Sequence, residues 1–194
     1  MKYILLFCSL FMFGLPASVQ AATDQAAAKA TVEKLGSEAI SFLEDSSLND
    51  AQKAAKFRTL LQRNFDMQTI GRFALGRYWR TATPAQQKEY LKLFEDMIVR
   101  VYSSRFDEYD GQDFIVKSVT DTGKGDALVT SMITPPRGAD VQVDWRMREK
   151  NGRPHVIDVI IEGVSMGLTQ RSDFSSVIQR GGGNIDVLLD HLRK

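Results

Sequence analysis

Residues 141–148 read Val141-Gln142-Val143-Asp144-Trp145-Arg146-Met147-Arg148, and the chain then runs through Asn151-Gly152 to Val156-Ile157-Asp158-Val159-Ile160-Ile161. In the first stretch apolar and polar side chains alternate, so Val141, Val143, Trp145 and Met147 fall on one face of a strand. Asn-Gly is the pair that best accepts the positive φ angles of a tight hairpin. Beyond it, Ile157, Val159 and Ile161 alternate with Asp158, Ile160 and Glu162. Two strands joined this way are antiparallel neighbours. Working back towards the N-terminus, Phe114 to Asp121 and Ala127 to Thr134 form a similar pair around Thr122-Gly123-Lys124-Gly125-Asp126. Four strands linked by short turns make a meander.

Before Asp113 the period is helical. Asp24 can cap a helix running to about Leu43, Asn49 or Asp50 a second, and Asp66 a short third ending near Gly76. Thr83-Pro84-Ala85-Gln86 combines a Thr cap, Pro at the first helical position and Gln three residues after the cap. The helix that follows carries Leu91, Phe94, Ile98, Val101 and Tyr102 on one side. Asp173 and Asn184 can each cap a closing helix. The expected class is α+β: about six to seven helices wrapped over one face of a curved four-stranded antiparallel sheet.

The N-terminus reads differently. Lys2, an apolar run from Ile4 to Leu15, and Val19-Gln20-Ala21 have the form of a secretory signal peptide cut after Ala21. The expected organisation is therefore 1–21 signal peptide and 22–194 a single exported domain. Cys8 lacks the small residues that precede a lipoprotein cysteine, which argues against a lipid anchor. It is the chain's single cysteine, so the mature protein has neither a disulfide nor a thiol nucleophile. Without Lys2, 24 basic side chains balance 24 acidic ones. That balance argues against nucleic acid as a partner.

Gly163-Val164-Ser165-Met166-Gly167 spells the nucleophile elbow of serine hydrolases. That elbow needs a parallel strand before it and an acid and a histidine after it. Here the preceding strand ends an antiparallel meander, and His191 is the one histidine downstream. The favoured reading is a turn, with Gly163 and Gly167 letting the backbone leave the sheet. His155 and His191 have no third ligand at a metal-binding spacing. Asp158 and Glu162 read as partners of Arg146 or Arg148 across the hairpin. The alternative is a small pocket enzyme in which a buried Asp158 does acid–base work on an apolar substrate. Gly181-Gly182-Gly183 reads as a helix C-cap and turn.

Three stretches carry a resemblance to the MlaC family of periplasmic phospholipid carriers, also called toluene-tolerance proteins. They are Asp66 to Trp79, with Gly71-Arg72-Phe73 and Gly76-Arg77-Tyr78-Trp79; Tyr102 to Gly111; and Val156-Ile157-Asp158-Val159 with Gly163-Val164-Ser165, Gln170-Arg171 and Phe174. The resemblance implies a helix-wrapped sheet enclosing an apolar cavity, phospholipid as cargo with no catalytic cofactor, and no enzymatic activity. It implies docking partners in an inner-membrane ABC transporter complex and an outer-membrane lipoprotein–porin complex, between which lipid is shuttled to maintain outer-membrane asymmetry. Thr169-Gln170-Arg171-Ser172 resembles a subset of the family linked to hopanoid metabolism, which keeps a hopanoid-related cargo as an alternative.

A lipid of two acyl chains carries roughly 30 methylenes, which at about 0.8 kcal/mol each make exposing its tails to water cost on the order of 20 kcal/mol. A carrier must therefore cover nearly all of the tails. The candidate lining residues are the strand rows Val143, Trp145, Met147, Val159 and Ile161, closed by the helix stripe Phe94, Ile98, Val101 and Tyr102. Tyr78 and Trp79 are candidates for the lip. A filled core would use the same residue types.

Overall fold

The computed structural model describes residues 23–194; the expected signal peptide lies outside the described residues. Among the described residues there are six α-helices: α1 (Gln25–Glu44), α2 (Asp50–Asn64), α3 (Met67–Leu75), α4 (Pro84–Ser103), α5 (Met166–Arg180) and α6 (Ile185–Leu192). A 3₁₀ helix, Gly76–Arg80, follows α3, and a shorter one, Phe106–Glu108, follows α4. The strands are β1 (Asp113–Asp121), β2 (Asp126–Thr134), β3 (Val141–Lys150), β4 (Arg153–Ile161) and β5 (Val164–Ser165). They form one antiparallel sheet in the order β1-β2-β3-β4-β5.

The helix starts follow the expected chemistry. Asp24, Asn49, Asp66, Thr83 and Asn184 each accept a backbone N–H in the first turn of their helix. Asn49 with Gln52, and Thr83 with Gln86, complete reciprocal capping boxes. Asp173 is not a cap; it lies within α5, whose cap is Ser165. The sheet has five strands rather than four. The extra one is only two residues long and is turned back by Glu162-Gly163, both at positive φ. Asn151 and Gly152 make the equivalent turn between β3 and β4.

The register brings Val143 opposite Ile161 and Trp145 opposite Val159. It then shifts between Arg146 and Met147, so that Met147 faces Val156. The strict alternation of Ile157 with Val159 therefore fails. A bulge absorbs one residue, and Val156, not Ile157, continues the buried face. A second shift lies in β1 between Val116 and Ser118. Such bulges bend a sheet and increase its twist, which gives this sheet its curvature.

Two apolar clusters fill the interior. One joins the sheet to α1 and α2 through Ala28, Val32, Leu35, Phe42, Leu60, Ala127, Val129, Met147 and Val156. The other joins α3, α4, α5 and α6 through Leu75, Tyr90, Phe94, Phe174, Ile178, Leu188 and Leu192. Tyr90 stacks on Phe94, and both meet the edge of Phe174. The Tyr90 hydroxyl donates to the Gly71 carbonyl at 3.0 Å, and burial pushes its pKa up.

Candidate functional site

The five strand candidates share one face of the sheet. Val143, Trp145 and Met147 on β3 pair in register with, or lie next to, Val159 and Ile161 on β4. Met147 is fully buried and Val143 nearly so, while Trp145, Val159 and Ile161 are half-buried. Ser131 on β2 is a polar side chain set against this row. It is fully buried, donates to the Val143 carbonyl and accepts from Trp145 Nε1 at 2.9 Å, so this face carries no stranded donor there. Trp145 meets the edges of Phe65 and Phe114.

The helix candidates lie elsewhere. Phe94 and Ile98 pack in the helical cluster against α3, α5 and α6, together with Tyr78 and Trp79. Val101 and Tyr102 are 43% and 41% exposed, and Tyr102 tilts against Phe57 of α2. The expected closure of the strand row by α4 is thus corrected: the helix over that row is α1. Its stripe, Ala28, Val32, Leu35, Ala39 and Phe42, has the i, i+4, i+7 spacing that the sequence displays. Gly36 sits in this stripe and lets the Phe114 ring close on the α1 backbone.

The clusters meet where α2 passes into α3. Phe65 belongs to the sheet cluster, and Met67 and Ile70 pack on the helical one. Asp66, between them, donates its N–H to the Val156 carbonyl. Its carboxylate accepts from Lys150 at 2.8 Å and from Thr69. Burial acts to raise the Asp66 pKa, but the Lys150 and Thr69 hydrogen bonds hold it below the usual carboxylate range. On the sheet face opposite Met147, Asp126 is fully buried and takes both Arg146 and Arg148. Burial again opposes ionisation, and again the pKa lies low because the arginines, Arg148 first, outweigh it. Arg146 and Arg148 were expected to pair across the β3–β4 hairpin; they pair instead across β2.

Asp158 is engaged by α5. Ser165 Oγ donates to it at 2.6 Å, and the Gly167 and Val159 N–H groups donate to its other oxygen. Ser165 Oγ in turn accepts from the Leu168 N–H. The elbow letters thus encode a helix start, in which hydroxyl and carboxylate together satisfy the orphan donors of α5. Gly167 is needed not for a turn but for closeness, since a Cβ there would lie 3.2 Å from the Phe73 ring. His155 faces the Arg153 carbonyl, and the Ser165 hydroxyl is taken up by Asp158 and the Leu168 N–H. Gly181 caps α5 as expected, with Gly182 and Gly183 closing the turn.

Among the described residues, two open grooves lie on the helical side. The first, about 530 Å³, runs between α2, α3 and α4 and mixes Met67 and Leu91 with Arg58, Lys92, Glu95 and Asp96. The second, about 400 Å³, lies between the end of α3, its 3₁₀ extension and α5; four arginines line it with Phe73 and Trp79. Among the described residues no helix is long and apolar enough to cross a membrane, and no cluster of three or more metal-binding side chains occurs.

Comparison with known proteins agrees with this architecture. The family model described as MlaC protein matches residues 33–194. The toluene tolerance protein ttg2D of Pseudomonas putida is 30% identical over 115 residues, covering 59% of this chain and 53% of that protein. The intermembrane phospholipid transport system binding protein MlaC of Haemophilus influenzae is 22% identical over 133 residues, covering 66% and 61%. The chain therefore spans about half to three fifths of the length of these relatives. A phospholipid-binding protein from Ralstonia solanacearum, solved with a phospholipid, superposes with a TM-score of 0.74 at 23% identity, over 86% of this chain and 94% of that one. This last likeness establishes the fold.

Proposed function

This chain belongs to the MlaC family, and from that premise we propose that it is a periplasmic carrier of phospholipid, working between an inner-membrane ABC transporter complex and an outer-membrane lipoprotein–porin complex. The observation that carries the reading is the family match over nearly the whole described domain. The one-sided apolar sheet face and the division of the interior into two clusters support it. Acyl chains lie along the face of Val143, Trp145, Val159 and Ile161 and enter by parting α1 from that face. Closed, α1 and the sheet bury each other's side chains. Loaded, lipid methylenes replace part of that contact, so the net driving force is small and docking sets the direction of transfer. A balance of 24 basic and 24 acidic side chains after residue 21 suits a carrier that docks on proteins rather than one held on an anionic membrane.

Native mass spectrometry of protein purified from periplasm without detergent tests this directly. A stoichiometric phospholipid adduct is expected, and the loaded protein should melt above the stripped one, because ligand bound only to the folded state adds stability. An apo mass with no lipid in the organic extract would overturn the carrier reading. A polycyclic adduct would keep the carrier and change its cargo.

A further inference from the structure

The groove of about 400 Å³ beside the 3₁₀ helix is lined by Arg72, Arg77, Arg80 and Arg171, with Phe73 and Trp79, and by no carboxylate. We infer that it binds a phosphate group, presented either by a lipid headgroup or by a free phosphorylated solute. The inference rests on the groove itself and not on the lipid-carrier reading.

Three of the four guanidinium groups lie on an aromatic ring. Arg72 sits over Trp79 at 5.4 Å, Arg171 over Phe73 at 5.5 Å and Arg77 over Tyr78 at 4.9 Å. A ring holds a guanidinium by its face and leaves the N–H edge free for two parallel bonds to a phosphate. Arg77 spends one N–H on the Tyr78 hydroxyl at 2.9 Å. Among the described residues none of the four is in an ion pair, whereas Arg58, Arg63, Arg146, Arg148 and Arg193 all are.

The backbone is shaped around this arrangement. Gly76 has φ +60, and a Cβ there would lie 2.9 Å from Arg171 Nε. A side chain at position 76 would thus displace the arginine contributed by α5. Gly167 lets Phe73, the platform for Arg171, pack against α5. Arg77 and Arg80 are three residues apart on a 3₁₀ helix, where such side chains eclipse. Gathering four cations without a counter-charge is unfavourable by itself, and a phosphate group, carrying one charge as a diester and up to about two as a monoester, offsets that.

Isothermal titration of the intact protein with inorganic phosphate and with glycerophosphoglycerol, a soluble diester, reads the site. Saturable binding that weakens with salt is expected. R72Q/R171Q should reduce it about tenfold or more for each bidentate pair lost. R80Q removes a charge that rests on no ring, so it lowers affinity while leaving the melting temperature unchanged; it keeps the test open if the double variant unfolds. Lipids co-purifying with wild type and R80Q identify the source. A changed headgroup population assigns the site to lipid, whereas an unchanged population with soluble phosphate still bound assigns it to a free solute. Equal phosphate binding by all variants, or no binding together with an unchanged lipid population, would overturn the inference. A wild type without lipid would refute the carrier reading alone, since the phosphate titration is read independently.

Discussion

Gly36→Ala tests how closely α1 lies on the sheet. Gly36 is a helix-interior glycine, and alanine there should raise helix stability by about 1 kcal/mol through propensity alone. The packing opposes this. An added Cβ would overlap Cδ1 and Cε1 of the Phe114 ring and lie 3.0 Å from its Cγ. The contact involves the ring's root as well as its tip, so the whole side chain must turn. Phe114 would then give up its edge contact with Trp145, 6.3 Å between centroids, worth about 0.5–1.5 kcal/mol. An off-rotamer χ adds about 0.5–1.5 kcal/mol. The two losses sum to roughly 2 kcal/mol, so G36A should destabilise the protein by about 1 kcal/mol net. In an F114A background the obstacle is gone, and the same substitution should stabilise by up to about 1 kcal/mol. Urea denaturation of the four proteins in a double-mutant cycle should therefore show a change of sign and a coupling of about 2 kcal/mol. A wild-type background in which G36A is neutral or stabilising would refute the close approach of α1 to β1.

Ser165→Ala should cost about 1 kcal/mol, the usual loss for a helix cap, and leave lipid loading by native mass spectrometry unchanged; abolished loading with an unchanged melting temperature would contradict the capping role. Asp66 and Asp126 both have pKa values below the ordinary aspartate value. They therefore contribute stability that is complete above about pH 4, the unfolded aspartate range, and is lost as pH falls through their folded values. Urea denaturation at pH 7 and pH 3 should show this decline, and D126N should lower the unfolding free energy at pH 7 by about 2 kcal/mol while making the decline shallower. An acid limb as steep in D126N as in wild type would count against the role of the Arg146–Asp126–Arg148 group.

The sheet was largely legible, because Val143, Trp145 and Met147 alternate cleanly and Asn151-Gly152 fixes the register of the hairpin. The capping residues were legible for the same reason: their chemistry is local. Two bulges were not. A bulge changes the phase of a strand without changing its composition, and Ile157 is as apolar as Val156. The partner of the strand row was missed because α1 and α4 both carry an apolar stripe and only packing decides which one meets the sheet. Ser165 was read as a turn residue, but its partner Asp158 lies on another element. The arginine groove was invisible as a site for a related reason. Arg72 and Arg77 on one side and Arg171 on the other are nearly a hundred positions apart, and they become one surface only where α3 and α5 meet.

The placement of α1 sets the order in which this domain can assemble. Its stripe closes on Met147 and Val156, and Thr23 just before it bonds to Gly125 and to the Glu149 N–H. α2 can meet α1 early, but the α1 stripe is not covered until β1 through β4 exist, more than a hundred residues later in the chain. The hairpins themselves are local and can form early. Contacts of such long sequence separation slow folding, so a chain emerging N-terminus first stays incomplete until its C-terminal half is available.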